Sequence, residues 1–179
     1  MAQKILDRLV SQFGPVILET HTDLGDETAV VETNSVRFVA MFLKDDPDLA
    51  MRMPLDCTAV DYKDIRALRF EVVWHMCSLD FGHRVRLKVR VHEHAPDVPS
   101  LTPVWPGMNW FERETYDMYG IHFLGHPNLK RVLMYEEFEG YPLRKDYPID
   151  KRQPLIPMRE LAYEKTTQRH PTHAMLNRP

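Results

Sequence analysis

The octapeptide Arg84-Val-Arg-Leu-Lys-Val-Arg-Val91 alternates basic and branched aliphatic residues without a break. Only an extended strand turns a period of two into two distinct faces. Val85, Leu87, Val89 and Val91 must enter a core. Arg84, Arg86, Lys88 and Arg90 make the other side, expected to be solvated or to face a partner. Upstream, Leu68 to Met76 begins with the same alternation, placing Leu68, Phe70 and Val72 together, and Asp80-Phe-Gly-His83 between the runs reads as a hairpin turn. The chain therefore builds a sheet around this pair and covers one face of it.

Helical spacing supplies the cover. Ile5, Leu6, Leu9, Val10 and Phe13 recur at intervals of three and four, and Gly14-Pro15 ends that helix. This N-terminus has neither the apolar stretch nor the cleavage site of a signal peptide. Val16 to Glu19 and Ala29 to Glu32 read as short strands around a polar loop, His21 to Glu27. Val36, Val39, Ala40 and Leu43 fit a helix capped by Ser35 and running to about Ala50, with Pro47 disturbing it. A strand ending at Lys44 is the alternative. Residues 96–106 form a Pro-rich connection. Asn109 and Glu112 have the spacing of a capping box, so a helix is expected over residues 110–119, with Gly120 in the left-handed position that ends it.

Composition excludes several classes. The 179 residues are 44% hydrophobic and 27% charged, ordinary for a folded domain, and the net charge of -3 lacks the basic footprint of a nucleic-acid binder. No stretch approaches the roughly 18 apolar residues of a membrane span, so membrane contact is expected only through a partner. Cys57 and Cys77 are too few for a thiolate-held iron–sulfur cluster and are read as reduced core thiols rather than a disulfide. Residues 1–147 form the expected domain. Residues 148–179 carry five prolines, six Lys or Arg and three Asp or Glu, which suggests an extended arm lying on another protein.

Few residues invite chemistry. His92 and His94 form an HxH pair that would place two imidazoles on one strand face, as metals require, but no third or fourth ligand stands at telling spacing. His122 and His126 are four apart, yet Gly120 and Gly125 argue against a helix there. Glu112 and Glu114 could serve as paired carboxylates, although acids in a first helical turn more often complement the dipole. Arg113 and Asp117 have the spacing of an i,i+4 ion pair. Nucleotide-binding glycine loops and nucleophile elbows are absent.

Three segments are far more specific. They are Trp110-Phe-Glu112-Arg113-Glu114-Thr-Tyr-Asp117-Met-Tyr119-Gly120-Ile, then His126-Pro127-Asn-Leu-Lys130-Arg131-Val-Leu, then Phe138-Glu-Gly140-Tyr-Pro142-Leu143-Arg144-Lys145-Asp146-Tyr147-Pro148. They resemble the signature of the C subunit of bacterial NADH:quinone oxidoreductase (complex I), whose mitochondrial relative is called iron–sulfur protein 3. Cys57-Thr-Ala-Val-Asp-Tyr and Phe70-Glu-Val-Val-Trp resemble that family too, so the likeness covers roughly residues 55 to 148.

The resemblance implies an α+β domain, a small mixed or antiparallel sheet with helices packed on it, followed by the extended C-terminal arm. It implies a non-catalytic subunit of the peripheral arm, at the cytoplasmic face of the inner membrane. No cofactor is expected in this chain; FMN, iron–sulfur clusters and quinone belong to partner subunits. The expected partners are the D subunit, which forms the quinone site, and the cluster-bearing B and I subunits. The chain ends at Pro179, so the C and D subunits are expected to be separate here. The numbered residues from Glu112 to Pro148 in the three segments, Phe138 excepted, are then the partner-binding candidates, and bracing the subunit's own fold is the alternative role for them. Two other readings stay open: the equivalent subunit of a membrane-bound nickel–iron hydrogenase complex, and a free-standing metal-dependent enzyme built on the histidines.

Overall fold

The computed structural model describes residues 3–155. Strands β1 (Ile17–His21), β2 (Thr28–Val31), β3 (Met53–Asp61), β4 (Phe70–Cys77) and β5 (Arg84–Val91) form one mixed sheet in the order β1-β2-β5-β4-β3. All pairings are antiparallel except β2 with β5. Helices α1 (Gln3–Phe13), α2 (Val36–Asp45) and α3 (Met108–Tyr119) supply the cover, and β6 (Asp97–Pro99) pairs in parallel with β7 (His122–Leu124) at one side. The α+β expectation holds.

The β4–β5 hairpin forms as the alternation requires. Phe70, Val72, Trp74 and Met76 oppose Val91, Val89, Leu87 and Val85, and all eight are buried against Ile5, Leu9, Val39 and Leu43 from α1 and α2. Gly82, at φ +70°, closes the turn. The basic side of β5 departs from expectation. It is not a bare cationic face, because β4 turns an acid toward it. Glu71 is buried, with Lys88 Nζ at 2.8 Å, Arg66 Nη1 at 3.0 Å and Arg90 Nε at 3.2 Å. Burial alone would raise the Glu71 carboxyl, but these cations outweigh it and hold it below its ordinary value. Arg90 also reaches Glu19 and Arg86 reaches Asp26.

Other boundaries move as well. β1 begins one residue late and takes His21 from the expected loop. α2 stops at Asp45, short of Ala50, because Asp46 turns extended (ψ 121°) before Pro47. Ser35 is the N-cap residue as expected, but its side chain makes no capping bond; its hydroxyl donates to Glu32. The sequence does not delimit β3, and nothing in it foretells β6 and β7. Cys57 pairs with Trp74 and Cys77 with Met53, which places the two free thiols four positions apart along β3 and three along β4, across the bulge. Among the described residues no helix is long and apolar enough to cross a membrane. Of the expected arm over residues 148–179, residues 148–155 carry no helix or strand and the remainder lies outside the described residues.

Candidate docking motif

α3 carries the first part of the motif, and its two buried acids face opposite tasks. The expected capping box does not form. Gly107 is the N-cap residue and no side chain caps the helix, because Glu112 turns inward instead. It is fully buried and accepts hydrogen bonds from Ser100 Oγ and the Leu101 amide, both 2.6 Å, and from Thr102 Oγ1 at 3.2 Å. Burial pushes its carboxyl up to about 7, against the pull of those donors. Asp117, equally buried, receives the Arg131 guanidinium at 2.7 Å on Oδ1. Its Oδ2 accepts the amides of Val132, Leu133 and Met134 at 2.8–2.9 Å. Burial works against this anion too, but here the donors win and its carboxyl sits below the ordinary range.

The predicted Arg113–Asp117 pair is also absent. Asp117 points into the protein, whereas Arg113 reaches along the surface, donates to the Lys130 and Arg131 carbonyls at 3.1 Å, and lies 4.7 Å from the Trp110 ring centroid. This is one of four arginine clasps that hold residues 125–148 as an irregular strap. Arg131 adds a bond to the Gly140 carbonyl (3.0 Å) beneath Phe138 and Tyr141. Arg144 donates to the Tyr119 carbonyl at 2.6 Å and stacks between Tyr141 and Phe70.

The fourth clasp, Arg69, has no counterpart among the residues singled out from sequence. It is buried, and its guanidinium grips both oxygens of Asp61 (2.9 and 2.7 Å), both of Asp146 (3.1 and 2.7 Å), and Glu93. Asp61 also takes the Lys145 amide at 2.8 Å. The Arg69 pairing pulls the Asp146 carboxyl down to about 2. No sequence spacing signals this hub, because its partners lie 8, 24 and 77 positions away. A lone arginine opening an apolar strand run is the only available hint.

Two further residues show why the strap needs its particular sequence. Gly120 ends α3 at φ +74°, and a Cβ there would lie 2.5 Å from Tyr141 and 2.6 Å from Arg144. Gly140 sits at φ +94° with Tyr147 3.1 Å from the same imaginary atom, while the Tyr147 ring stacks on Phe138. His126 accepts the Asn128 amide at Nδ1 (3.0 Å), which leaves its Nε2 proton for the Asn109 carbonyl (3.2 Å). Burial keeps that ring's pKa below its ordinary value, consistent with this neutral tautomer.

The motif is thus largely engaged inside the subunit. Tyr119 is half-buried, and Glu114, Pro127, Lys130, Leu143, Lys145 and Pro148 are exposed. Beside them Trp110, Leu133, Tyr135 and Leu143 present large apolar side chains to solvent, with Trp110 62% exposed. A stiff strap bearing aromatic and aliphatic side chains outward is what a protein interface uses. His92 and His94 lie exposed beyond β5, and His122 stands by Asp97 at 3.5 Å. Among the described residues no three His, Cys, Asp or Glu side chains converge as metal ligands.

Known proteins are similar to this chain in sequence and fold. Residues 29–153 match the family model "Respiratory-chain NADH dehydrogenase, 30 Kd subunit". The chain is 46% identical over 143 residues to the NADH-quinone oxidoreductase C subunit of Methylorubrum populi, covering 80% of this chain and 64% of that one. It is 48% identical over 145 residues to the protein of the same name from a Roseiflexus species, covering 81% and 83%. The chain therefore spans less than two thirds of some of the relatives it resembles. Among solved structures, the trypsin-resistant fragment of Nqo5 superposes with a TM-score of 0.61 at 28% identity, over 71% of this chain and 98% of the fragment. A chain of an archaeal membrane-bound sulfane sulfur reductase shares the fold at a TM-score of 0.68 and 21% identity, over 82% of this chain and 85% of that one.

Proposed function

Because the chain belongs to the family of the 30 Kd subunit of respiratory-chain NADH dehydrogenase, we propose that it is a non-catalytic subunit of the peripheral arm of a proton-pumping NADH:quinone oxidoreductase. In this reading electrons pass from NADH through FMN and iron–sulfur clusters of other subunits to quinone, and this chain holds no cofactor. It docks on the quinone-site D subunit and on the cluster-bearing B and I subunits, at the cytoplasmic face of the inner membrane, touching the membrane only through them.

One observation carries this reading. Four arginine clasps rigidify the 125–148 strap internally, while Trp110, Leu133, Tyr135 and Leu143 remain turned outward. Prepaying the order of a contact segment lowers the entropy lost on association. The division of labour is internal for Glu112, Asp117, Arg131 and Arg144, and external for the exposed residues of the motif, Lys130 and Lys145 included.

A second reading, from the sequence resemblance, is the equivalent subunit of a membrane-bound nickel–iron hydrogenase; the fold is also found in a chain of another membrane complex, the archaeal sulfane sulfur reductase. One experiment separates the two. Affinity isolation of the chain from native membranes in mild detergent is expected to recover flavin and iron–sulfur subunits with NADH oxidation. Recovery with a nickel–iron large subunit selects the second reading, and recovery alone refutes both.

A further inference from the structure

The end of the sheet remote from Arg69 turns apolar side chains to solvent. β2 runs parallel to β5 with Thr28 beside Arg86, so the loop before β2 lies next to the β4–β5 turn, and Met53 opposes Cys77 where β4 ends. In those two loops Leu24 and Leu79 are 103% and 71% exposed, and Phe81 and Met53 are exposed with them. Arg52 reaches Asp80 at 3.0 Å and ties the start of β3 to the turn. The same end holds an open cavity of about 780 Å3, with Phe81 at its rim and Leu55, Met76 and Val85 as apolar wall. Apolar side chains exposed together in this way mark a contact site.

Leu24 is the unusual member. Its backbone is left-handed, at φ +58°, where a branched side chain is disfavoured and Gly or Asn sits more easily. Burial does not offset that cost, because the side chain is fully exposed. A tight turn fixes the conformation: the Gly25 amide donates to the Thr22 carbonyl at 3.1 Å and the Asp26 amide to the Asp23 carbonyl at 3.2 Å. Leu24 thus adds no packing to the chain's own fold, yet it is held rigidly outward. Backbone strain of this kind gathers where a protein grips something else.

The surroundings say what fits. Pro54 has no N–H and the bulge at Leu55 breaks the ladder of β3, so no row of free backbone groups awaits an added strand. Docking must therefore go through side chains. Asp26 pairs with Arg86 at 2.8 Å and Asp80 with Arg52, while Glu27 turns to the opposite face of the sheet. Asp23 and Asp56 are left against Arg84, one negative charge in excess, which disfavours an anionic lipid surface. We propose that this end of the sheet docks an amphipathic helix of a neighbouring subunit, its apolar stripe seated on Leu24, Leu79 and Phe81 and a Lys or Arg on its flank facing Asp56. An apolar helix face laid into a hydrophobic groove is a general mode of recognition. This assignment rests on the proposed role as a subunit of a larger complex, and it places a second contact away from the strap.

The test has two arms. Leu24→Asn suits the left-handed turn and removes the apolar side chain. The full chain carrying it should keep or raise its Tm, while affinity isolation from membranes retains at least fivefold less of the partner subunits under a detergent wash. A fall in Tm would show that Leu24 braces the fold, and undiminished retention would show that no partner grips it; either overturns the site. Leu79→Ser is an independent variant with a smaller expected loss of retention. In the second arm, Leu24→p-benzoylphenylalanine is irradiated in the same membranes. A cross-link to another polypeptide is expected, mapping to a helix with an apolar stripe and a basic flank. Cross-linking to lipid, to a second copy of this chain or to nothing overturns the helix as occupant. If the unmodified chain recovers no NADH-oxidising partners, the proposed function fails, and the cross-link still judges this surface on its own.

Discussion

Alanine at position 120 separates two costs that coincide there. The first is conformational: φ +74° is a left-handed backbone, worth about 1–2 kcal/mol against any residue with a Cβ. The second is packing. The new Cβ would lie 2.5 Å from Tyr141 and 2.6 Å from Arg144, so both side chains must leave. Their departure loses the Arg144 bond to the Tyr119 carbonyl, about 1.5–3 kcal/mol for a charged donor. It also weakens the stacking of Arg144 on Tyr141, about 0.5–1 kcal/mol. The total is about 4 kcal/mol. Gly25→Ala is the control, since φ there is +83° but the surrounding space is open, so only the first cost applies. At about 2–4 °C per kcal/mol for a chain of this size, Gly120→Ala should lose roughly 10 °C in Tm and Gly25→Ala roughly 4 °C. Thermal and urea unfolding of the full chain, followed by circular dichroism, measure both. Equal losses for the two variants would refute the claim that the strap packs on the end of α3.

Further predictions concern the buried charges. Glu112 has a folded pKa of about 7 against an ordinary 4.5, so its stabilising contribution is full below pH 4.5 and lost as pH rises through 7. Urea unfolding at pH 5 and 8 should show the unmodified chain losing about 3 kcal/mol relative to Glu112→Gln; parallel pH profiles for the two would contradict this. Asp117→Asn keeps the shape but leaves Arg131 unpaired, and a loss of about 3 kcal/mol is expected. Tryptic cleavage after Arg131 should accelerate with it, and an unchanged cleavage rate would argue against the clasp. Arg69→Met should free Asp146 from the sheet, and the Asp146 carboxyl, held at about 2, should return toward its ordinary value in a carbon-detected NMR titration. A titration that stays near 2 would show that another group holds it.

The parts of this fold that can be read from sequence are those whose signal is local. β5 announces itself because each side chain alternates, and α1 because its apolar residues share one helical face. β3 is hard to delimit because Pro54 and the bulge at Leu55 break the alternation of Met53–Asp61. β6 and β7 are three residues each, too short to carry a period. In the motif, spacing suggests an Arg113–Asp117 pair and a Glu112 capping box, both surface arrangements. Burial overrides them: Asp117 and Glu112 face inward, where each finds donors on a loop distant in sequence. The family resemblance singles out candidate residues but leaves open whether they face partners or brace the subunit's own architecture. The basic side of β5 misleads for the same reason, since its counter-ion Glu71 sits on the neighbouring strand.

In this reading the chain positions other subunits and takes no part in chemistry. The most direct test is NADH:quinone turnover per assembled complex in membranes carrying Gly120→Ala or Asp117→Asn in this chain, with complex quantified by its flavin. Fewer assembled complexes are expected, with unchanged turnover for each that assembles. A full complement of complexes with turnover abolished would contradict the positioning role, and would place a residue of this chain in the reaction itself.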